Sequence, residues 1–266
     1  MSYQAIVYDV RNYIGYVTLN RPQVLNAVNQ QMRREIIDVC ERMRKDPEVR
    51  VCIFTGAGER AFSTGFDLKE GASQSDDQSL FGQRHARRQP GIQFHHQAIS
   101  SMDKPTIAAI RGYAVGGGLE VALACDLRVA AEDAMMGMME VRRGRLGGSG
   151  GTQRLPRLIG TANALELCLT GELVNAAEAF RLGLVNRVVP VDRLMAVAEE
   201  IATKISLGAP LSVISIKEAI TRGVELPIEQ GLQLESELGL ALSTTEDQKE
   251  GARAFAEKRP PVWKGR

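Results

Sequence analysis

The chain has 266 residues, 44% of them apolar and 24% charged, with a formal net charge of +1. That length suits one large domain or a domain with a small appendage, and the composition is that of an ordinary globular protein. The balanced charge excludes a global field for nucleic acid or an anionic membrane, and no apolar run reaches the roughly 18–20 residues of a membrane helix. Strand-like sequence begins by Tyr3, so no leader is expected and the location is expected to be cytoplasmic.

Residues 3–10 and 13–20 read as two strands joined by a tight turn at Arg11-Asn12. Residues 29–45 place Met32, Ile36, Val39, Cys40 and Met43 at helical spacing, with charge on the opposite face, and Pro47 ends the helix. The apolar run 49–55 reads as a buried strand. Residues 71–91, rich in Ser, Gln, Asp and Arg, read as a loop followed by the start of a helix. Strands are expected at 105–110 and 126–131, with a glycine-rich corner and a short helix at 119–124 between them. Strands alternating with helices indicate an α/β fold with mostly parallel pairing. A further helix is expected at 152–160. After residue 190 the pattern is almost wholly helical, at 191–207, 210–222, 227–242 and 245–256. This divides the chain into a core, 1–190, and a C-terminal helical region, 191–266, whose leucine-rich faces suit self-association.

Three glycine-bearing corners stand out: AFSTGFDLKE (61–70), IRGYAVGGGLE (110–120) and MEVRRGRLGGSGGTQRL (139–155). Exposed N–H groups at such corners bind oxyanions. None of them matches a nucleotide-phosphate loop or a dinucleotide fingerprint. Cys40, Cys52, Cys125 and Cys168 are far apart and read as reduced, buried thiols rather than metal ligands. His85, His95 and His96 have no carboxylate cluster beside them, so no metal site is expected. Ser149 lies in GGSGG without a G-x-S-x-G frame, so a serine hydrolase triad is not supported. Arg84, Arg87 and Arg88 read as a solvated helix face.

The first two corners resemble the halves of the oxyanion hole in the crotonase (enoyl-CoA hydratase/isomerase) superfamily. AFSTGFDL and GYAVGGGLE follow its two motifs, and LNRPQVLNAV (19–28), GGTQRLPRLIG (150–160), AFRLGLVNRVV (179–189) and AFAEKRPPVWKGR (254–266) extend the resemblance nearly end to end. It implies an α/β crotonase (ClpP-like) spiral of repeated β-β-α units in two sheets, with a C-terminal helical trimerisation region. It also implies a homotrimer or a dimer of trimers. The N–H groups of Phe66 and Gly117 would form the oxyanion hole. Glu120 and Glu140 match the two catalytic glutamates of the family's hydratases, and Gly148 matches the residue that positions the attacking water. CoA would be held by Val24, Leu25, Ala27, Arg60, Asp67, Leu68, Lys69 and Lys258. The implied substrate is an acyl-CoA thioester, with no metal or redox cofactor and CoA as part of the substrate. The expected reaction is reversible hydration of a 2-enoyl-CoA to a 3-hydroxyacyl-CoA.

Several residues depart from the pattern. GMME (137–140) replaces G-x-P-E, LGGSGG (146–151) lacks the usual proline, and Arg145 stands where an aliphatic residue is usual. Met135, Met136, Met138 and Met139 suit either an adaptable pocket or plain core packing. The bulky Phe66 and the tail FAEKRPPVWKGR also resemble carnitinyl-CoA dehydratases, so a specialised dehydratase or an isomerase is the alternative on the same site. A non-catalytic RNA- or partner-binding protein on the same fold is the alternative of another class, and the balanced charge and intact Glu pair count against it.

Overall fold

The computed structural model describes residues 3–67, 70 and 94–266. Strands β1 (Ile6–Arg11) and β2 (Ile14–Leu19) form an antiparallel hairpin. Its turn is carried by Asn12 and Tyr13, both at positive φ, one residue later than the sequence suggests. Helix α1 (Gln30–Lys45) follows, capped by the Asn29 side chain accepting the Met32 N–H.

The chain then alternates between two sheets. Strand β3 (Val51–Gly56) enters a large sheet and β4 (Ala61–Ser63) a small one. After α2 (His95–Ser100), β5 (Thr106–Ile110) returns to the large sheet and β6 (Tyr113–Val115) to the small one. After α3 (Gly117–Ala124), β7 (Leu127–Ala131) and β8 (Met135–Gly137) do the same. Each circuit therefore adds one strand to each sheet and one helix, which is a β-β-α spiral. The remaining elements of this part are α4 (Gly151–Ile159), α5 (Thr161–Thr170), β9 (Val174–Asn175), α6 (Ala176–Arg181) and β10 (Arg187–Val189). The large sheet runs β1-β2-β3-β5-β7-β10 and the small one β4-β6-β8-β9. Pairing is parallel except at β1–β2 and β8–β9.

Both faces of the large sheet are buried, which explains why its strands read as continuous apolar runs. Alternate residues serve the two faces. Cys52, Phe54, Ala108 and Ile110 pack with Met32, Ile36 and Val39 of α1. Val51, Ile53, Ile107 and Ala109 face α7 (Leu194–Ser206), where Ala198 and Ala202 let the helix lie close. Three further helices end the chain: α8 (Pro210–Gly223), α9 (Ile228–Ser243) and α10 (Glu246–Glu257). Neither α8 nor α9 buries a single residue in the isolated chain.

Cys40, Cys52 and Cys125 are buried free thiols, with Cys52 and Cys125 pushed up to about 12 by burial, so they are inert packing groups. The loop expected at 71–91, with Arg84, His85, Arg87 and Arg88, lies outside the described residues.

Candidate active site

One corner of the spiral brings two backbone donors together. The segment 21–28 is fixed by Asn26, which is fully buried. Its Oδ1 accepts the Arg21 N–H at 2.9 Å, and its Nδ2 donates to the carbonyls of Ala57 (2.9 Å) and Ala61 (2.8 Å). Val28 then pairs with the chain after β4. The Val28 N–H donates to Gly65 O at 2.7 Å, and the Asp67 N–H donates to Val28 O at 3.2 Å. In a parallel bridge the residue between those bonds turns its own N–H to the opposite side, and here that residue is Phe66.

On that side stands Gly117, the first residue of α3, whose N–H has no partner within the helix. A Cβ built on Gly117 would lie 3.4 Å from the Phe66 nitrogen. The two N–H groups are therefore neighbours. Asn26→Ala would leave the Arg21 N–H and two carbonyls without partners. It should lower stability by about 3 kcal/mol, a loss that a thermal or denaturant melt would read.

The two glutamates flank this corner in different surroundings. Glu120 lies in the first turn of α3 and is 2% exposed. Its Oε1 accepts the N–H groups of Ser149 (2.8 Å) and Gly151 (2.9 Å). Gly151 begins α4, so the carboxyl group sits at a helix N-terminus, where backbone donors and the macrodipole suit an anion. Glu140 opens the 3-10 turn Glu140–Arg143. Its Oε2 is buried without a hydrogen-bond partner among the described residues. Burial raises its pKa above the ordinary carboxyl value, and the charge of Glu120 raises it further, against its own backbone N–H and Arg143. Gly116, at φ 54° and ψ −125°, lets this carboxyl approach: a Cβ there would lie 2.7 Å from Glu140 Oε1.

Gly147 and Gly148 close the far side. A Cβ on Gly147 would lie 3.2 Å from Glu120 Oε1, whereas open space lies over Gly148. Met138 is buried against Gly147 and Gly151, and Met136 is fully buried. Both pack as core, while Met135 and Met139 are only half-buried. His95 and His96 lie edge to face in α2 and are buried. Burial, then neighbouring positive charge, pushes them down to about 3 and about 4, so both are neutral at physiological pH. No cluster of metal-ligating side chains occurs among the described residues.

Of the residues expected to hold CoA, Val24, Leu25 and Ala27 share the segment pinned by Asn26, with Leu25 in the left-handed region. The Asp67 carboxylate is joined to Arg21 Nη1 at 2.9 Å. Arg60 is exposed just before β4, and Lys258 is exposed at the end of α10. No hydrogen bond or ion pair among the described residues ties Lys258 to this corner. Leu68 and Lys69 lie outside the described residues. Sequence reasoning did not single out the Ser149 and Gly151 amides or the side chain of Arg33. The glycine run before α4 was the available signal for the amides.

Residues 9–266 match the enoyl-CoA hydratase/isomerase family. The chain belongs to that family. It is 43% identical over 260 residues to the (E)-benzylidenesuccinyl-CoA hydratase of Thauera aromatica, covering 98% of this chain and 99% of that protein. The short-chain-enoyl-CoA hydratase of Clostridium acetobutylicum is 39% identical, with 97% of each chain covered. The structure is similar to that of an enoyl-CoA hydratase from Bacillus anthracis, with a TM-score of 0.90, 40% identity, and coverage of 99% of this chain and 100% of that one. The two-sheet spiral is accordingly the crotonase fold.

Proposed function

We propose that this family member hydrates a 2-enoyl-CoA, with the Phe66 and Gly117 N–H groups as the oxyanion hole and Glu120 and Glu140 as the acid–base pair. The observation that carries the reading is the pair of carboxyls in contrasting environments beside two converging backbone donors. Full-length relatives named as hydratases support the reaction type.

Water adds at Cβ only if charge is held on the thioester oxygen. Two fixed N–H donors do that, each worth about 2.7–4 kcal/mol in comparable sites. Glu120, anchored by two amides, takes a proton from the water as its oxygen bonds to Cβ. Glu140, whose raised pKa favours the neutral form, delivers a proton to Cα. The proton then passes from Glu120 to Glu140, and the pair is reset. Gly148, under open space, borders the water's position. The step involves no electron transfer, and CoA enters as part of the substrate. Mass analysis of product from matched 2-enoyl- and 3-enoyl-CoA esters tests this. A gain of one water from the 2-enoyl ester supports hydration, and interconversion of the two esters at unchanged mass would replace it with isomerisation.

The same reading includes a homo-oligomer. Ile216, Ile220 and Val224 recur every four residues along and just beyond α8, and Ile228 and Leu232 continue the row on α9. All are more than half exposed in the single chain. Two long helices without a buried residue gain their packing from other subunits. Light scattering should return a multiple of three chains. A monomer at micromolar concentration would contradict this part of the reading.

A further inference from the structure

Phe66 offers more than its backbone. Its ring lies near two guanidinium groups, Arg33 at 4.7 Å and Arg145 at 5.5 Å from the ring centroid. Arg33 rises from α1 and is half-buried, and its Nε is wholly buried with no hydrogen-bond partner among the described residues. Neither arginine forms an ion pair among the described residues. The acid whose charge acts on Arg33 is Glu70, and its Oε2 accepts the Gln30 N–H at 2.8 Å. Arg154 adds a third positive charge near His96, and its hydrogen bonds go to neutral acceptors, Ser149 O and Ser100 Oγ, both at 3.0 Å.

Arg33 is half-buried and its desolvation outweighs the charge of Glu70, so a further anion beside it lowers that cost, while Arg145 stands exposed and open to the same anion. We propose that the substrate brings that anion: its acyl group carries a carboxylate, which Arg33 and Arg145 hold beside the Phe66 ring. This rests on the thioester lying at Phe66 and Gly117. One residue then serves both ends, its N–H facing the thioester oxygen and its ring in contact with both cations. Guanidinium groups bind carboxylates through charge-assisted, often bidentate hydrogen bonds. An unsubstituted fatty acyl chain offers them no carboxylate, and a quaternary ammonium acyl group of the carnitinyl kind is repelled.

The test titrates the whole protein with glutaryl-CoA and pentanoyl-CoA, saturated esters of equal carbon count. Glutaryl-CoA should bind about tenfold tighter or more, with the gap narrowing as salt rises. In Arg33→Gln, and separately in Arg145→Gln, the ratio of the two affinities should fall toward one. Equal or weaker binding of glutaryl-CoA by the parent overturns the proposal, even if a variant fails to fold. Equal weakening of both esters in the variants also overturns it, because it assigns the arginines to the CoA phosphates. Neither ester can be hydrated, so the result stands apart from whether crotonyl-CoA is turned over.

Discussion

Glu140→Gln should lower turnover of a 2-enoyl-CoA by about 10²–10⁴-fold, the range for loss of a positioned general acid or base. The side chain keeps its size and its place over Gly116, so affinity for a saturated CoA ester should change little. Stopped-flow turnover and equilibrium titration separate the two. The same variant should be more stable than the parent at neutral pH. The folded protein holds Glu140 at a raised pKa, so it binds the proton more tightly than the unfolded chain does. Stability therefore falls as pH rises from the ordinary carboxyl value, about 4.3, through the raised one. Glutamine escapes that loss. Its melting temperature should exceed the parent's at pH 7, and the gap should close below about pH 4. A variant of ordinary activity, or one destabilised at pH 7 and not at pH 4, would remove Glu140 from this role.

The second large effect is expected at Gly65. Its φ is +83°, and a Cβ there would lie 2.7 Å from the Gly117 nitrogen and 2.9 Å from Val115 O. Alanine would thus push directly against one of the two donors, with about 1–3 kcal/mol of backbone strain besides. Disabling a single oxyanion donor in comparable enzymes costs about 10²–10³ in turnover. Gly65→Ala should show at least that loss while still melting cooperatively. Turnover within a few-fold of the parent, in a folded variant, would mean that these amides do not hold the thioester oxygen.

Much of the large sheet and the helices was legible in the chain. The run at 49–55 reads as a buried strand, and 105–110 as a strand, because both sheet faces are covered, and the helices expected at 210–222 and 227–242 match α8 and α9 within a residue. The small sheet was not legible strand by strand. Strands β4, β6 and β8 have three residues each, too few for an alternation to declare itself. The C-terminal helices also differ in kind. Leu194, Ala198 and Ala202 seat α7 on the large sheet, whereas α8 and α9 stand clear of any core.

In the site, Glu120, Glu140, Phe66 and Gly117 were reached through motif resemblance, and the structure brings the segments bearing them together. The amides of Ser149 and Gly151 left no side-chain signal, because a backbone donor is indifferent to residue type. Arg33 was hidden for a different reason. It follows Met32 on α1 and reads as part of that helix's charged face, and only the folded chain, with its buried Nε and the nearby Phe66 ring, distinguishes it from a solvated surface cation.

The most direct measurement is the fall of enoyl-thioester ultraviolet absorbance when crotonyl-CoA meets the purified parent, Glu120→Gln and Glu140→Gln proteins. Rapid loss with the parent, nearly abolished in both variants, is the predicted result. No loss with the parent while it still binds CoA esters, or undiminished loss in either variant, would contradict two-glutamate hydration.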